Sequence, residues 1–502
     1  MSIVIDGEKL NISDVVKVSL ERERVEVLSD AESSVNRSNQ YLNELIESDK
    51  AVYGVNTGVG ELAGVRVERD KIRELQLNII RSHSACVGEP APDEVVRATM
   101  LILSNTLLRG NSGIRFKVIK TIVDLLNRGV VPSVPEKGSI GASGDLAPLA
   151  HIALTLIGEG KVRYENKVVE SREALKSVGI DPIVLEPKEG LSLINGCHYS
   201  TAILALQIHR IENLLMNSIT ALAMLVEIFK SPFSPFDDRV HTVRPHAGQR
   251  RVAEIIRALL EGSKVVGESS DKVQDAYSIR CYPQVAGAVL DTLSYARSIC
   301  ETEMNSSVDN PLLFADDEKY LSAGNFHGQP VAFACDFLSI AITSLSAIME
   351  RHINRLLDEK ISGLPAYLTD DAGLKVGYMI SQYTAASLLA ENRVLSHPSS
   401  IEAIPVSGEQ EDHQSMAPVS ALKLRNIVEN AETICAILLM CCAQGVELAG
   451  LKGKLGNGTG VAFERIRGIV PHLTNDRVIS KDIDKLTKYV RKNELLGAEY
   501  FS

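Results

Sequence analysis

The chain has 502 residues, 45% of them hydrophobic and 23% charged, and carries a net charge of −11. That apolar share can build a large core, which excludes disorder as the dominant state, and the length allows about three average domains. Acidic residues are spread along the chain and no concentrated basic surface is evident, so nucleic acid is not an expected partner.

In chain order, residues 2–10 (SIVIDGEKL) read as a hairpin around Asp6-Gly7, and a helical pattern starts near Ile12. Residues 51–60 (AVYGVNTGVG) read as a loop. Ile114, Val118, Ile122 and Leu125 form an apolar helical stripe closed by Gly129, and Val252, Ile255, Ile256, Leu259 and Leu260 form another closed by Gly262. A third runs through Leu215, Ile219, Leu222 and Val226. Residues 161–170 (KVRYENKVVE) predict a strand pair turning at Glu165-Asn166. The runs 337–349 and 427–446 are apolar on nearly every side, so those helices are expected to be buried all round. Covering them favours homo-oligomerisation.

No strand–helix alternation suggests a Rossmann sheet or TIM barrel, so the expected class is mainly α. A smaller α/β-containing N-terminal region (1–200) would precede a long central helical bundle (201–502). The uncharged stretches 213–226 and 433–446 fall short of the roughly 20 apolar residues a bilayer requires, and predict buried helices rather than membrane spans. The first ten residues lack the pattern of a secretory signal. Eight cysteines without a CxxC pair suggest reduced core residues in a cytoplasmic protein, and no histidine spacing predicts a metal site.

Residues 133–150 (SVPEKGSIGASGDLAPLA) hold the most telling chemistry. By average usage, roughly one chain of this length in six would contain Ala-Ser-Gly by chance. On its own, the segment reads as a loop before a helix starting near Asp145, whose side chain would serve as the N-cap. A more demanding reading has the Gly144 nitrogen attack the Ala142 carbonyl with loss of two waters. The product is a five-membered ring whose exocyclic methylidene comes from Ser143. Ser143 supplies the leaving hydroxyl, Gly144 allows the close backbone approach because it lacks a Cβ, and Ala142 is small enough not to obstruct closure.

The segment GSIGASGDLAPLAHIAL resembles the central motif of the aromatic amino acid ammonia-lyases, which carry a self-made methylidene-imidazolone (MIO) and no external cofactor. Further motifs resemble that family in its order: YGVNTGVG (53–60), RSHSACVGEP (81–90), LINGCHYST (193–201), VQDAYSIRCYPQV (273–285), VDNPL (308–312), GNFHGQPVA (324–332) and EQEDHQSM (409–416). Within the family the chain is most similar to the histidine branch. The resemblance implies an ammonia-lyase/fumarase-like helical architecture, a homotetramer with active sites built from several chains, and conversion of L-histidine to urocanate and ammonia.

Residue by residue, the resemblance assigns MIO formation to Ala142, Ser143 and Gly144 and abstraction of the β-proton to Tyr53, whose phenol would need a lowered pKa. Asn195 would hydrogen-bond the ring or the amine. Arg280 would bind the substrate carboxylate with a planar fork, and Tyr277, three residues earlier, would share its helical face, with Gln274 a further turn back. Phe326 would pack near the ring. His83 and Glu411 would choose the substrate, because a carboxylate accepts a hydrogen bond from an imidazole N–H and a phenyl ring offers none. The chain departs from the branch at Cys197-His198, Val59, Gln329 and Glu409. The alternatives are an MIO-dependent lyase or 2,3-aminomutase acting on tyrosine or phenylalanine and, more remotely, a non-catalytic helical scaffold.

Overall fold

The computed structural model describes residues 2–48, 50–266, 272–492 and 494–495; residues 267–271 and 496–502 of the expected 201–502 region lie outside the described residues. The protein is mainly helical, with only short strands. The chain divides into two units: Met1–His209 with Ala296–Asp336 and Pro398–Leu422, and Arg210–Tyr295 with Phe337–His397 and Lys423–Ser502. A cut between residues 200 and 201 assigns to the second region three stretches that the structure places in the first, 201–209, 296–336 and 398–422, and the last two carry Phe326 and Glu411.

The expected N-terminal hairpin does not form. The local turn is real: Asp6 Oδ1 accepts from the Glu8 and Lys9 nitrogens, and Gly7 has φ +90°. It leads, however, into the helix Ile12–Ser19, set by a capping box between Asn11 and Asp14. The strand Ser2–Ile5 then pairs in parallel with Arg24–Val27, so a small strand–helix–strand unit stands where no alternation was expected. Asn127, at the end of the helix Phe116–Asn127, exchanges two hydrogen bonds with the Val25 backbone. Arg97, 2% exposed, donates to the Val18 and Leu126 carbonyls near two helix ends, where negative partial charge offsets burial of a cation. The pair Lys161–Tyr164 and Lys167–Glu170 is antiparallel as predicted, with positive φ at Glu165 and Asn166.

In the second unit, helix Ala247–Leu259 buries the predicted stripe through Leu259, and Gly262 follows at φ +77°. Glu432, fully buried, accepts from Arg210 and Arg491. Glu227 receives Ser263 Oγ and the Gly456 nitrogen at the start of helix Asn457–Ile469. The 427–446 run is buried as expected. The 337–349 run is not: Leu338, Ile342 and Leu345 are buried, but Phe337 is 45% and Ile340 49% exposed in the single chain.

Among the described residues, three helices, His198–Ile228, Gln329–Leu357 and Ala417–Leu448, are long and apolar enough to cross a membrane by length and composition, which corrects the argument from uncharged runs. Their most apolar stretches are 89, 61 and 83% buried within the protein. None of the eight cysteines forms a disulfide, and seven of them are buried.

Candidate active site

The centre of the first unit is a cavity of about 500 Å³ lined by Tyr53, His83, Ser143, Asn195, Phe326 and Glu411, together with Val59, Asn310 and Gln410 among others. Six residues predicted from separate motifs thus meet in one space.

Ala142-Ser143-Gly144 lies in the loop before helix Ala147–Leu156. Ser143 has φ +55° and Gly144 φ +82°. The segment is held against Gly196, whose N–H donates to the Ser143 carbonyl (3.2 Å) and whose carbonyl accepts from the Asp145 nitrogen (2.8 Å). A Cβ on Gly144 would lie 2.3 Å from the Gly196 carbonyl carbon and oxygen, so only glycine fits this approach. On the other side, the Met416 nitrogen donates to the Ile140 carbonyl. Asp145 does not cap the helix that follows it. Leu146 occupies that position with φ +47°, and the Asp145 carboxylate instead accepts from Ser200 N and Oγ in the first turn of helix His198–Ile228. Burial pushes the Asp145 carboxyl up to about 7, against the pull of those hydrogen bonds.

Tyr53 Oη accepts from the Gly60 nitrogen at 2.8 Å. Burial and the Glu411 carboxylate nevertheless hold the phenol above its ordinary range, with only the Gly60 N–H working downward. The lowered pKa expected of a tyrosine base is therefore not supplied by this arrangement. His83 ends helix Ile72–His83, and its Nδ1 lies 2.8 Å from the Ile79 carbonyl. A carbonyl only accepts, so Nδ1 carries a proton there. Glu411 is half-buried; burial raises its pKa, while His83 and a hydrogen bond from Ser143 lower it. Its position follows from a tight loop in which Ser407, Gly408 and Glu409 all have positive φ and Val406 pairs with Glu411.

Asn195 is 3% exposed, and its Nδ2 donates to Asp309 Oδ1 (3.0 Å) and the Asn310 carbonyl (3.2 Å). Its Oδ1 is buried without a protein partner.

Gln274, Tyr277 and Arg280 are not among the residues lining this cavity; they belong to the second unit. Helix Tyr277–Arg280 is a single turn, and Gln274 precedes it outside any helix, so the expected polar strip does not extend to Gln274. The Arg280 guanidinium lies 4.5 Å from the centre of the Tyr277 ring, which is itself 72% exposed. Of the departures from the branch pattern, only Val59 lines the cavity. Cys197 donates to Glu303, and His198, fully buried with its pKa pushed down to about 4 by burial, meets Thr106 Oγ1 through Nε2. Glu409 is exposed, and Gln329 donates to the Ser400 carbonyl. Lining residues not predicted include Asn310 and Gln410, each inside a quoted motif and the second beside Glu411, and Ser322 and Ala323, for which the sequence carried no signal.

The sequence pattern described as "Aromatic amino acid lyase" matches residues 10–468. The chain is 45% identical over 498 residues to a histidine ammonia-lyase of Alkaliphilus oremlandii, covering 99% of this chain and 98% of that protein. Among solved structures it is similar to the tyrosine aminomutase from Streptomyces globisporus (TM-score 0.95, 37% identity, 99% of this chain and 98% of that one). It is also similar to the histidine ammonia-lyase from Trypanosoma cruzi (TM-score 0.92, 38% identity, 100% and 95%). Family pattern, full-length similarity and the assembled cavity agree: the chain belongs to the aromatic amino acid lyase family and is a carbon–nitrogen lyase.

Proposed function

We propose that the protein eliminates ammonia from L-histidine to give trans-urocanate, with an MIO ring closed from Ala142-Ser143-Gly144. The observation that carries this reading is the single cavity in which Ser143, Tyr53 and Asn195 meet two groups suited to an imidazole, His83 and Glu411. The backbone fits the ring, since residue 144 must lack a Cβ. Once formed, the ring supplies an electrophilic alkene, which no standard side chain offers.

The protein's own groups divide the remaining work. Tyr53 takes the β-proton at Oη, steered by the Gly60 N–H. Glu411 accepts from the N–H of the substrate's ring, with His83 beside it in the cavity; a phenyl ring would leave the carboxylate unsatisfied. Phe326 forms part of the wall. The substrate's carboxylate needs a cation, yet among the described residues no lysine or arginine lines the cavity. We assign that role to Arg280, with Tyr277 and Gln274, contributed by another copy in a homotetramer. The exposure of Tyr277, the unpartnered Nε of Arg280 and the exposed apolar face at Tyr295, Phe337 and Ile340 support this. That positive charge would also lower the Tyr53 phenol. Eight cysteines without a disulfide fit a soluble cytoplasmic enzyme of histidine degradation.

The test is parallel incubation with histidine, tyrosine and phenylalanine, following the near-ultraviolet absorbance of each conjugated product, with intact mass to detect loss of two waters. Conversion of tyrosine with inert histidine would overturn the substrate; the full encoded mass would overturn the ring. A second reading, an aminomutase, has the structural similarity to tyrosine aminomutase behind it. A β-amino acid in place of free ammonia would establish it.

A further inference from the structure

Behind Asn195 stands an ion pair that the chemistry above does not use. Lys188 is fully buried, and its ammonium has three acceptors: Asp309 Oδ2 (2.5 Å), Ser192 Oγ (3.0 Å) and the Ser112 carbonyl (3.0 Å). Asp309, 3% exposed, is equally saturated. Its Oδ2 receives Lys188 and Ser192 Oγ, and its Oδ1 receives Asn195 Nδ2 and the Asn310 nitrogen. Every hydrogen of the ammonium and both carboxylate oxygens are committed.

This saturation has a consequence for Asn195. Both atoms facing its Nδ2, Asp309 Oδ1 and the Asn310 carbonyl oxygen, can only accept. Rotating the amide would press its oxygen against two acceptors, one of them charged, and take from each the N–H that Asn195 supplies. The amide orientation is therefore fixed, and the oxygen is the atom left for the cavity, buried and without a protein partner.

We infer that Lys188 and Asp309 are positioning residues that lock Asn195 with its carbonyl oxygen presented as an acceptor for the amine of the substrate. The choice between ring and amine follows from hydrogen counting. In a ring closed from Ala142-Ser143-Gly144, the Ser143 nitrogen becomes an imine and the Gly144 nitrogen is bonded to three carbons. Neither keeps a hydrogen, and the ring oxygen only accepts. An Asn195 acceptor has nothing to receive from such a ring, whereas an incoming amine brings N–H groups. The Asp309 carboxylate stays ionised as the lock requires: burial alone would raise its pKa, but the Lys188 charge and the hydrogen bonds from Lys188, Ser192 and Asn195 hold it below the ordinary carboxylate range.

The inference rests on the elimination proposed above, and the product of that reaction, which has lost the amine, provides the discriminating ligand. Asp309→Asn offers Asn195 a donor as well as an acceptor and so releases the lock. The double variant Lys188→Met/Asp309→Asn does the same while removing the buried charge that the single variant leaves uncompensated, and it carries the test if the single variant does not fold. In variants that are folded by melting temperature and whose intact mass shows loss of two waters, kcat/KM for L-histidine is expected to fall about 10- to 100-fold. Inhibition by trans-urocanate is expected to stay within about twofold, since no lost hydrogen bond involves it. Unchanged kcat/KM, or weakening of product inhibition by the same factor, would overturn the inference, as would failure of the ring to form in a folded variant. If the parent enzyme leaves histidine untouched but converts another aromatic amino acid, the substrate assignment fails while the lock is tested unchanged with that amino acid and its deaminated product.

Discussion

The fold treats two parts of the predicted site in opposite ways. Asn195 is 3% exposed and tied through Asp309 to a fully buried lysine, whereas Tyr277 is 72% exposed and Arg280 has its ring as a neighbour and an unpartnered Nε. The first set is finished within one chain: its geometry is set by hydrogen bonds that folding itself completes. The second has its chemistry in place but not its surroundings, as expected of groups that act only once another surface is brought to them. Functional residues on saturated networks should therefore couple catalysis to stability, and those on exposed turns should not.

Four outcomes break or sharpen that contrast. The largest is at Tyr53, where Tyr53→Phe should lower kcat about 10²- to 10⁴-fold with the melting temperature nearly unchanged, as measured by steady-state kinetics beside thermal unfolding. Because burial holds the phenol above its ordinary range, the parent's kcat should rise toward alkaline pH, and a residual rate in the variant should lose that rise. Lys188→Met alone removes one partner of a buried pair and should cost about 3–5 kcal/mol in denaturant unfolding. A cost under about 1 kcal/mol, the range of exposed pairs, would show that the network is not structural. Arg280→Lys is the counterpart: kcat/KM should fall about tenfold or more, because an ammonium cannot make the two parallel bonds, while stability stays put.

The smallest effect concerns Asp145. Its folded pKa, about 7, is raised above the ordinary carboxylate range, so the folded state holds the proton more tightly than the unfolded one. That contribution to stability is fully present below the unfolded value and is lost as pH rises through about 7. Unfolding measured across that window should show the parent losing stability relative to Asp145→Asn, and parallel curves would refute it.

Local chemistry was legible wherever a residue acts on its neighbours. Gly129 and Gly262 end the predicted helical stripes at positive φ, and the Glu165-Asn166 turn closes its strand pair. Asp6-Gly7 turns the chain as read, yet no sequence signal told that the partner of the first strand lies beyond a helix and runs parallel to it. Asp145 failed in the same way. It caps a helix, but one that begins more than fifty residues later, because the loop against Gly196 carries it there. The 337–349 helix shows the converse limit, since an apolar sequence says that a face avoids water without saying whether this chain covers it.

By itself, the order of amino acids determined the family, the mainly helical class and the motifs whose side chains meet in the cavity, because these depend on residue type and on spacing along the chain. Only the tertiary structure decided which way Asn195 points, that His83 turns Nδ1 to the Ile79 carbonyl, and that Lys188 and Asp309 stand behind the site. Those facts depend on which donors and acceptors are brought within hydrogen-bonding distance from far apart in the chain, and a hydrogen bond between residues 188 and 309 leaves no periodicity for a sequence to display.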